Sequence, residues 1–472
     1  MPQRQAQLRE AVATDTRALG DPEVAAIIRQ EEARQQTQLS LIPSENFFSP
    51  AVRSAVGSVF MHKYAEGNVG QRYYEGNEYV DALESLAIAR ARQVFRLPAD
   101  WDVNVQALSG SNANLAVYLA LLAPGDTILS MYLPDGGHLS HGWSFEPDAG
   151  RRAQDVLNPV YLGGSRKVHI TSRMFRVVQY KTDPATRTFN YETIEHIARE
   201  QKPKLIITGG TAYPRDIDYR RVRAIATSVG AAYLADIAHE VGLIAAGVLP
   251  SPVGIADVVT LTTHKTLRAG RGAIVLAHRD LIEKVNQALM PGLQGGPHNH
   301  NIAGLCVGLG EALRPEFTEY ARQVVANAKA VGTALQVQGF EVVTGGTDKH
   351  LLVLDLTRQP LVGRKFARAL AAAGIITNKS TMPQERRSPK DPSALRLGTP
   401  WVTTRGMREP EMEQIAAWMR GVMDTATTWA EVPFAEFEMQ VQASPVLREI
   451  AASVRGLCQH FPLDFGRRAA RR

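Results

Sequence analysis

The chain has 472 residues, 44% of them apolar and 21% charged, with a net charge of +6. That balance excludes a disordered or low-complexity chain, and the length predicts one large enzyme body with a smaller companion. Two cysteines, Cys306 and Cys458, cannot build a disulfide framework or a four-cysteine zinc site, so a reducing, cytoplasmic setting is expected. The N-terminus lacks the apolar core of a signal peptide, and no run of about 18 apolar residues exists, so no membrane partner is expected. In chain order, the first twenty residues read as a loose arm and 22–40 as a helix opened by Asp21 and Pro22. A turn-rich stretch over 43–50 leads to a glycine- and tyrosine-rich loop over 61–76. Val80, Leu83, Ala87, Ala91 and Val94 then recur at helical spacing. Strands are predicted at 204–208, 232–236, 257–262 and 273–277, with a helix over 218–229 between the first two. This alternation predicts an α/β body with a mainly parallel sheet. Past residue 300 a long helical stretch and shorter signals predict a smaller α+β domain, and the tail is basic.

Ser109, Gly110 and Ser111 stand directly before a helical run. Free backbone N–H groups and the helix dipole favour an anion there, with plain N-capping as the alternative. Asp236 ends an apolar strand, where the carboxyl ends of parallel strands open on the ligand crevice; a helix N-cap is the alternative. Lys265 lies just beyond another such strand, where desolvation lowers the pKa of an amine and makes it nucleophilic. His239 and Glu240 look like half of a zinc-protease motif, but Leu243 holds the second histidine position. His138 and His141, or His298 and His300, have no partner cluster, so no metal is expected. A strand-end lysine, a strand-end aspartate and an anion cradle together suit pyridoxal 5'-phosphate (PLP), which needs an amine, a carboxylate for its ring nitrogen and a seat for its phosphate.

The stretches LIPSEN (41–46), KYAEG and GQRYY (63–74), SGSNAN (109–114), LPDGGHLSHG (133–142), TAYPR (211–215), LADIAHEVGLIAAG (234–247), TTHKTLR (262–268), PGLQGGPHNH (291–300) and LRLGTP (395–400) resemble serine hydroxymethyltransferase in content and order. The resemblance implies a PLP-dependent transferase of fold type I (aspartate-aminotransferase-like). It implies a mainly parallel seven-stranded sheet in a large domain and a smaller C-terminal α+β domain. The expected division is an arm and helix over 1–60, a PLP-binding domain over 61–300 and a small domain with basic tail over 301–472. The implied reaction moves the serine hydroxymethyl carbon to tetrahydrofolate, the co-substrate, giving glycine and 5,10-methylenetetrahydrofolate. A folate-independent L-threonine aldolase or transaldolase of the same fold is the alternative.

By the same resemblance Lys265 would hold PLP in Schiff-base linkage, Asp236 would pair with its ring nitrogen, His138 would stack on the ring and His239 would meet the phenolic oxygen. Ser109, Gly110, Ser111 and His264 would seat the phosphate, with Gly295 and Gly296 supplied by a second subunit, and Thr211 would stand near the ring. Arg396 would clamp the substrate carboxylate beside Ser44. Glu66 would be the general acid/base, with Tyr64, Tyr73 and Tyr74 shaping the site across a homodimer (or tetramer) interface. Thr262 and Arg271 would flank the lysine loop, Arg271 as a charge that lowers the lysine pKa. Leu133, Gly137 and Leu139 would line the pterin site. No nucleic-acid partner is expected, since no aromatic-basic RNA motif is present.

The common G-Y-P-G of the family reads Gly67-Asn68-Val69-Gly70 here, a departure at Asn68 and Val69, and the next motif departs at Glu75. It departs again at Ser380, where an asparagine is usual, and mildly at 269–273. The connection after His141, over 143–167, is longer than usual by roughly 15–20 residues, as a lid, an oligomer contact or a tolerated surface insertion would be.

Overall fold

The computed structural model describes residues 20–146 and 157–466. Most of the predicted arm, the middle of the long connection and the end of the basic tail lie outside those residues. The helix Pro22–Thr37 starts where the sequence places it: the Asp21 side chain accepts from the backbone N–H groups of Glu23 and Val24. The helix Glu78–Val94 buries the stripe of Val80, Ala87, Ala91 and Val94.

The large sheet comprises β1 (Trp101–Asn104), β2 (Thr127–Met131), β3 (Val160–Tyr161), β4 (Arg176–Tyr180), β5 (Leu205–Thr208), β6 (Ala232–Asp236), β7 (Val258–Thr262) and β8 (Ala273–His278). Their order is β1-β8-β7-β6-β5-β2-β4-β3. Neighbours from β7 to β4 pair in parallel, while β8 is antiparallel to both β7 and β1. Every residue of β5 and β7 is buried, as in a sheet covered on both faces. The parallel run delivers Thr208, Asp236 and Thr262 to the same edge.

The sheet has eight strands where seven are expected. The eighth, β3, comes from the long connection after His141. Its Val160 and Tyr161 pair antiparallel with Tyr180 and Gln179, satisfying the backbone groups that β4 would otherwise leave bare at the sheet edge.

The small sheet is antiparallel throughout, in the order β9-β10-β12-β11: β9 (Glu341–Val342), β10 (Leu351–Asp355), β11 (Asn378–Ser380) and β12 (Ala394–Gly398). Arg396 on β12 lies opposite Val353 and Asn378. One buried cluster packs on one face of the large sheet, whose other face is covered by residues that include Ala113, Ile207 and Val275, and a second cluster joins Leu39 and Leu41 to residues around the small sheet. The helix Pro315–Val337 serves both, giving Phe317, Tyr320 and Val324 to the first and Val331 and Leu335 to the second.

Gly209, directly after β5, has φ +115°, and a Cβ there would stand 2.0 Å from the carbonyl oxygen of Asp236. Gly209→Ala is expected to lower the unfolding free energy by roughly 3 kcal/mol, because left-handed strain and a backbone clash add. The urea midpoint measures this, and an unchanged midpoint would show that the end of β6 can move aside.

Candidate active site

Asp236 closes β6 as a buried carboxylate. Its Oδ2 accepts from Asn114 Nδ2 at 2.8 Å and lies 2.9 Å from Nε2 of His141, while Oδ1 accepts from the Ala238 backbone N–H at 3.0 Å. Asn114 in turn accepts from Thr260 on β7 at 2.7 Å and donates to the Ser140 hydroxyl at 2.9 Å. That hydroxyl is 2.7 Å from Nδ1 of His138. Burial pushes the Asp236 carboxyl up, but the hydrogen bond and charge of His141, with the lesser pull of His138 and Asn114, bring it well below the usual carboxylate range. His138 is neutral: burial first, then the neighbouring His141, lowers its imidazole to about 4.

Lys265 is buried three residues past β7. Its carbonyl accepts from Asn46 Nδ2 at 3.0 Å. The next residue, Thr266, donates its hydroxyl to the His239 carbonyl at 2.9 Å and accepts from the Gly242 N–H at 2.8 Å. The lysine loop is thereby tied to the segment that follows Asp236. Burial lowers the Lys265 amine to about 8; Asp236 opposes the fall and Arg396 adds to it. The cation expected in that role is Arg271, and the structure corrects this. Arg271 is exposed and lies toward His298 and Asn301. Its charge acts on His264, which burial first and Arg271 second lower to about 3. Nδ1 of His264 is buried without a partner among the described residues.

Arg396 reaches the same crevice from β12. Its Nε donates to Asn378 Oδ1 at 3.1 Å and its Nη1 to the Thr211 carbonyl, while Nη2 has no hydrogen-bond partner among the described residues. Burial lowers the guanidinium to about 10. Thr211 secures the turn after β2, its N–H on the Gly136 carbonyl at 2.6 Å and its hydroxyl on the Gly137 carbonyl at 3.1 Å. Leu133 is half-buried at the start of that turn and Leu139 is exposed beyond it. Ser44 follows Pro43, which packs so tightly on the end of β12 that a Cβ on Gly398 would sit 2.8 Å from the proline Cα.

Ser109 caps the helix Gly110–Leu121, its hydroxyl donating to Asn112 Oδ1 at 2.7 Å and accepting from the Asn112 N–H at 3.4 Å. Ser111 is half-buried in the first turn. A Cβ on Gly110 would meet Thr262 Cγ2 at 2.7 Å, and the Thr262 hydroxyl donates to the Ala238 carbonyl at 3.1 Å. His239 is buried, with Nδ1 3.3 Å from Nε2 of His350.

The remaining predicted residues gather elsewhere. Tyr74 donates its hydroxyl to Glu66 Oε2 at 2.9 Å, and the Tyr64 and Tyr74 rings meet edge to face at 6.1 Å. Gly295 lies against Glu66 and Gly296 against Tyr64. Glu66, Tyr73 and Gly295 line a cavity of about 480 Å³ with the 290–294 loop. Among the described residues no hydrogen bond links this group to Lys265, Asp236 or Arg396. One chain thus presents two partial sites: an amine, a carboxylate and a guanidinium in a crevice, and a glutamate among exposed tyrosines.

The serine hydroxymethyltransferase family model matches residues 18–419. A serine hydroxymethyltransferase from Acidothermus cellulolyticus is 46% identical over 442 residues, covering 94% of this chain and 95% of that protein. Those of Sorangium cellulosum and Myxococcus xanthus are 47% and 45% identical, each over 94% of this chain and over 95% and 96% of those proteins. The chain belongs to the serine hydroxymethyltransferase family. It is a PLP-dependent fold-type-I enzyme that transfers the serine hydroxymethyl carbon reversibly to tetrahydrofolate. Serine hydroxymethyltransferases act on small molecules and are generally oligomeric. No helix among the described residues is long and apolar enough to cross a membrane.

The donor set fits the cofactor this family uses. A buried amine of lowered pKa, an ionised carboxylate, a neutral imidazole and a helix N-terminus whose glycine leaves no room for a Cβ converge in one crevice. Three further members of the crevice lie outside the sequence-predicted set. His141 is weighed there only as a metal ligand, Asn114 enters only as part of a matching stretch, and His350 falls in no motif.

The lowered Lys265 pKa makes a stability prediction for the cofactor-free protein. The unfolded amine titrates near its ordinary 10.5 and the folded one near 8. Its charge therefore costs the fold fully below about pH 8, and the cost fades as pH rises toward 10.5. Lys265→Met is expected to stabilise the apoprotein by roughly 3 kcal/mol more at pH 7 than at pH 10.5. Urea titrations at the two pH values measure the difference; equal gains would mean the amine is solvated.

Proposed function

We propose that this enzyme carries out its reaction with the crevice of one copy completed by the tyrosine-rich loop of a second. What carries the reading is the pairing of a buried, depressed-pKa Lys265 with an ionised Asp236 in the same crevice as Arg396. When bound, PLP supplies an aldehyde carbon for amines and a ring that draws electrons from the bond being broken.

Lys265 would hold the aldehyde carbon through Nζ. Asp236 would hold a proton on the ring nitrogen, since an anion at that position favours the protonated ring. His138, neutral, would lie on the ring face, with Thr211 and Thr262 bordering it. His239 would meet the phenolic oxygen. Ser109, Gly110, Ser111 and His264 would bind the phosphate, aided by Gly295 and Gly296 of a second copy. Arg396, with Nη2 free, would orient the substrate carboxylate beside Ser44. Glu66 would hold or accept the proton of the serine hydroxyl, with Tyr64, Tyr73 and Tyr74 excluding water. Leu133, Gly137 and Leu139 would receive the pterin.

The exposed side chains of Val59, Met61, Tyr64, Tyr73, Tyr74 and Tyr79 support a homodimer, because so many large apolar side chains exposed within one stretch of the chain are of the kind that self-association covers. The two-domain division near residue 300 and a cytoplasmic setting belong to the same reading; the buried free thiols Cys306 and Cys458 are in keeping with the latter.

Two experiments test the proposal. Lys265→Ala is expected to lose the bound-cofactor absorbance band and turnover, and Glu66→Gln to keep the band but lose turnover by about 10²–10⁴-fold. Mixing the two inactive proteins under exchange conditions is expected to restore roughly a quarter of wild-type activity, since half the dimers are mixed and each regains one intact site. No recovery would place Glu66 in its own chain's crevice. In the second experiment, tetrahydrofolate is expected to accelerate exchange of the glycine α-proton with solvent. No response to folate together with brisk cleavage of L-threonine would favour the aldolase.

A further inference from the structure

Two pairs of side chains cross between the sheets beside the crevice. His239 and Glu240 follow β6, and Lys349 and His350 precede β10. Nδ1 of His239 lies 3.3 Å from Nε2 of His350, with the rings 17° from parallel, and Lys349 Nζ lies 2.6 Å from Glu240 Oε1. All four residues are at most 3% exposed. The ionic pair holds the imidazole pair in register, because separating a buried pair leaves an uncompensated charge. The strand entry is fixed as well: the Lys349 N–H donates to Thr347 Oγ1 at 3.0 Å, and Thr347 donates to the Pro214 carbonyl at 3.0 Å.

Burial holds both imidazoles well below their ordinary pKa, and the ammonium groups of Lys265 beside His239 and Lys349 beside His350 push the same way. A neutral imidazole has one N–H and one lone pair. The contact between the rings therefore has two arrangements. If His239 donates from Nδ1, His350 must carry its proton on its own Nδ1, a buried atom with no partner among the described residues. If His350 donates from Nε2, that sealed Nδ1 is only a bare lone pair. A buried orphan N–H is the rarer defect, so the second arrangement is favoured. His239 then carries its proton on Nε2. That nitrogen has no hydrogen-bond partner among the described residues and is not among the sealed unpartnered atoms, so it keeps accessible surface on which a ligand atom can be met.

We propose that His350 is a positioning residue that sets the tautomer of His239: it donates Nε2–H to Nδ1, and His239 presents Nε2–H to the cofactor's phenolic oxygen. The proposal rests on the reading that puts His239 against the cofactor. It assigns His350 a role through His239 alone, following the rule that the partner of one ring nitrogen decides the state of the other.

Ring ¹⁵N spectra of the histidine-labelled full-length apoprotein, with His239→Asn to assign the signal, read the tautomer directly. PLP titration of the same samples reads affinity. Wild type is expected to show His239 protonated at Nε2. His350→Leu is expected to show a mixture of tautomers and PLP affinity weakened about tenfold, the loss of one aligned donor to a charged oxygen. His350→Gln, which keeps an N–H donor, is expected to restore both. Protonation of wild-type His239 at Nδ1, or an unchanged tautomer in His350→Leu, overturns the proposal. A changed tautomer with unchanged PLP affinity supports the tautomer control and instead overturns the placement of His239 against the cofactor. If His350→Leu fails to fold, the wild-type tautomer and the His350→Gln comparison decide.

Discussion

A carboxylate sealed inside a sheet is the constraint around which the site is built. Asp236 lies at the end of β6 and is 7% exposed; alone, it would take up a proton rather than stay charged. It remains ionised because His141 and Asn114 meet the same oxygen. Asn114 is committed elsewhere as well. Asn114 stands on the helix whose N-terminus Ser109 caps, and it also holds Thr260 on β7 and Ser140. Ser140 holds His138. The helix N-terminus at Ser109, His138 and the strand leading to Lys265 are therefore placed by one hydrogen-bond network. Shared partners of this kind specify geometry, because moving one member breaks the bonds of the next; Nδ1 of His141 alone in this network is buried without a partner among the described residues.

The lysine and the arginine belong to different cores, and their separation has to be controlled. The structure joins them at three places. The helix Pro315–Val337 runs through both clusters. Arg396 itself bonds the Thr211 carbonyl on the large-sheet side. The pairs His239 with His350 and Glu240 with Lys349 cross directly behind Lys265, whose neighbour Thr266 holds the His239 carbonyl. A change in the angle between the sheets would strain all three junctions, so Arg396 and Lys265 keep a fixed spacing.

Much of this is legible in the sequence, for physical reasons. Asp236 and Lys265 follow unbroken apolar runs, and parallel strands place their carboxyl ends in the crevice. The four predicted strands and the helix at 219–228 stand within a residue or so of their places for the same reason. Other features depend on contacts between distant segments, and no local pattern carries them. His141 has no role in the sequence reading once a metal is set aside, until the fold brings Asp236 at the end of β6 within 2.9 Å of it. Arg271 is close to Lys265 in sequence, yet Arg396, more than a hundred residues on, is the cation that Lys265 feels. The eighth strand is two residues long, and only a bare neighbouring edge makes it a strand.

The departures from the family pattern around Glu66 can be weighed on the same terms. The hairpin that carries Glu66 is held from beneath: Arg72, with its side chain 4% exposed, bridges Glu84 at 2.7 Å and Asp81 at 2.8 Å on the helix Glu78–Val94. The same guanidinium donates to the Ala65 carbonyl at 3.0 Å and to that of Gly67, on either side of Glu66. A buried arginine shared by two carboxylates and two carbonyls fixes backbone position far better than any contact at the loop tip. Of the altered residues, Asn68 and Glu75 are exposed, as are Tyr73 and Tyr74, and Val69 is half-buried. The sequence has therefore changed on the exposed part of the loop and is anchored where the loop meets its own helix. In this arrangement the position of Glu66 is a property of the single chain, set by Arg72 and the helix beneath it.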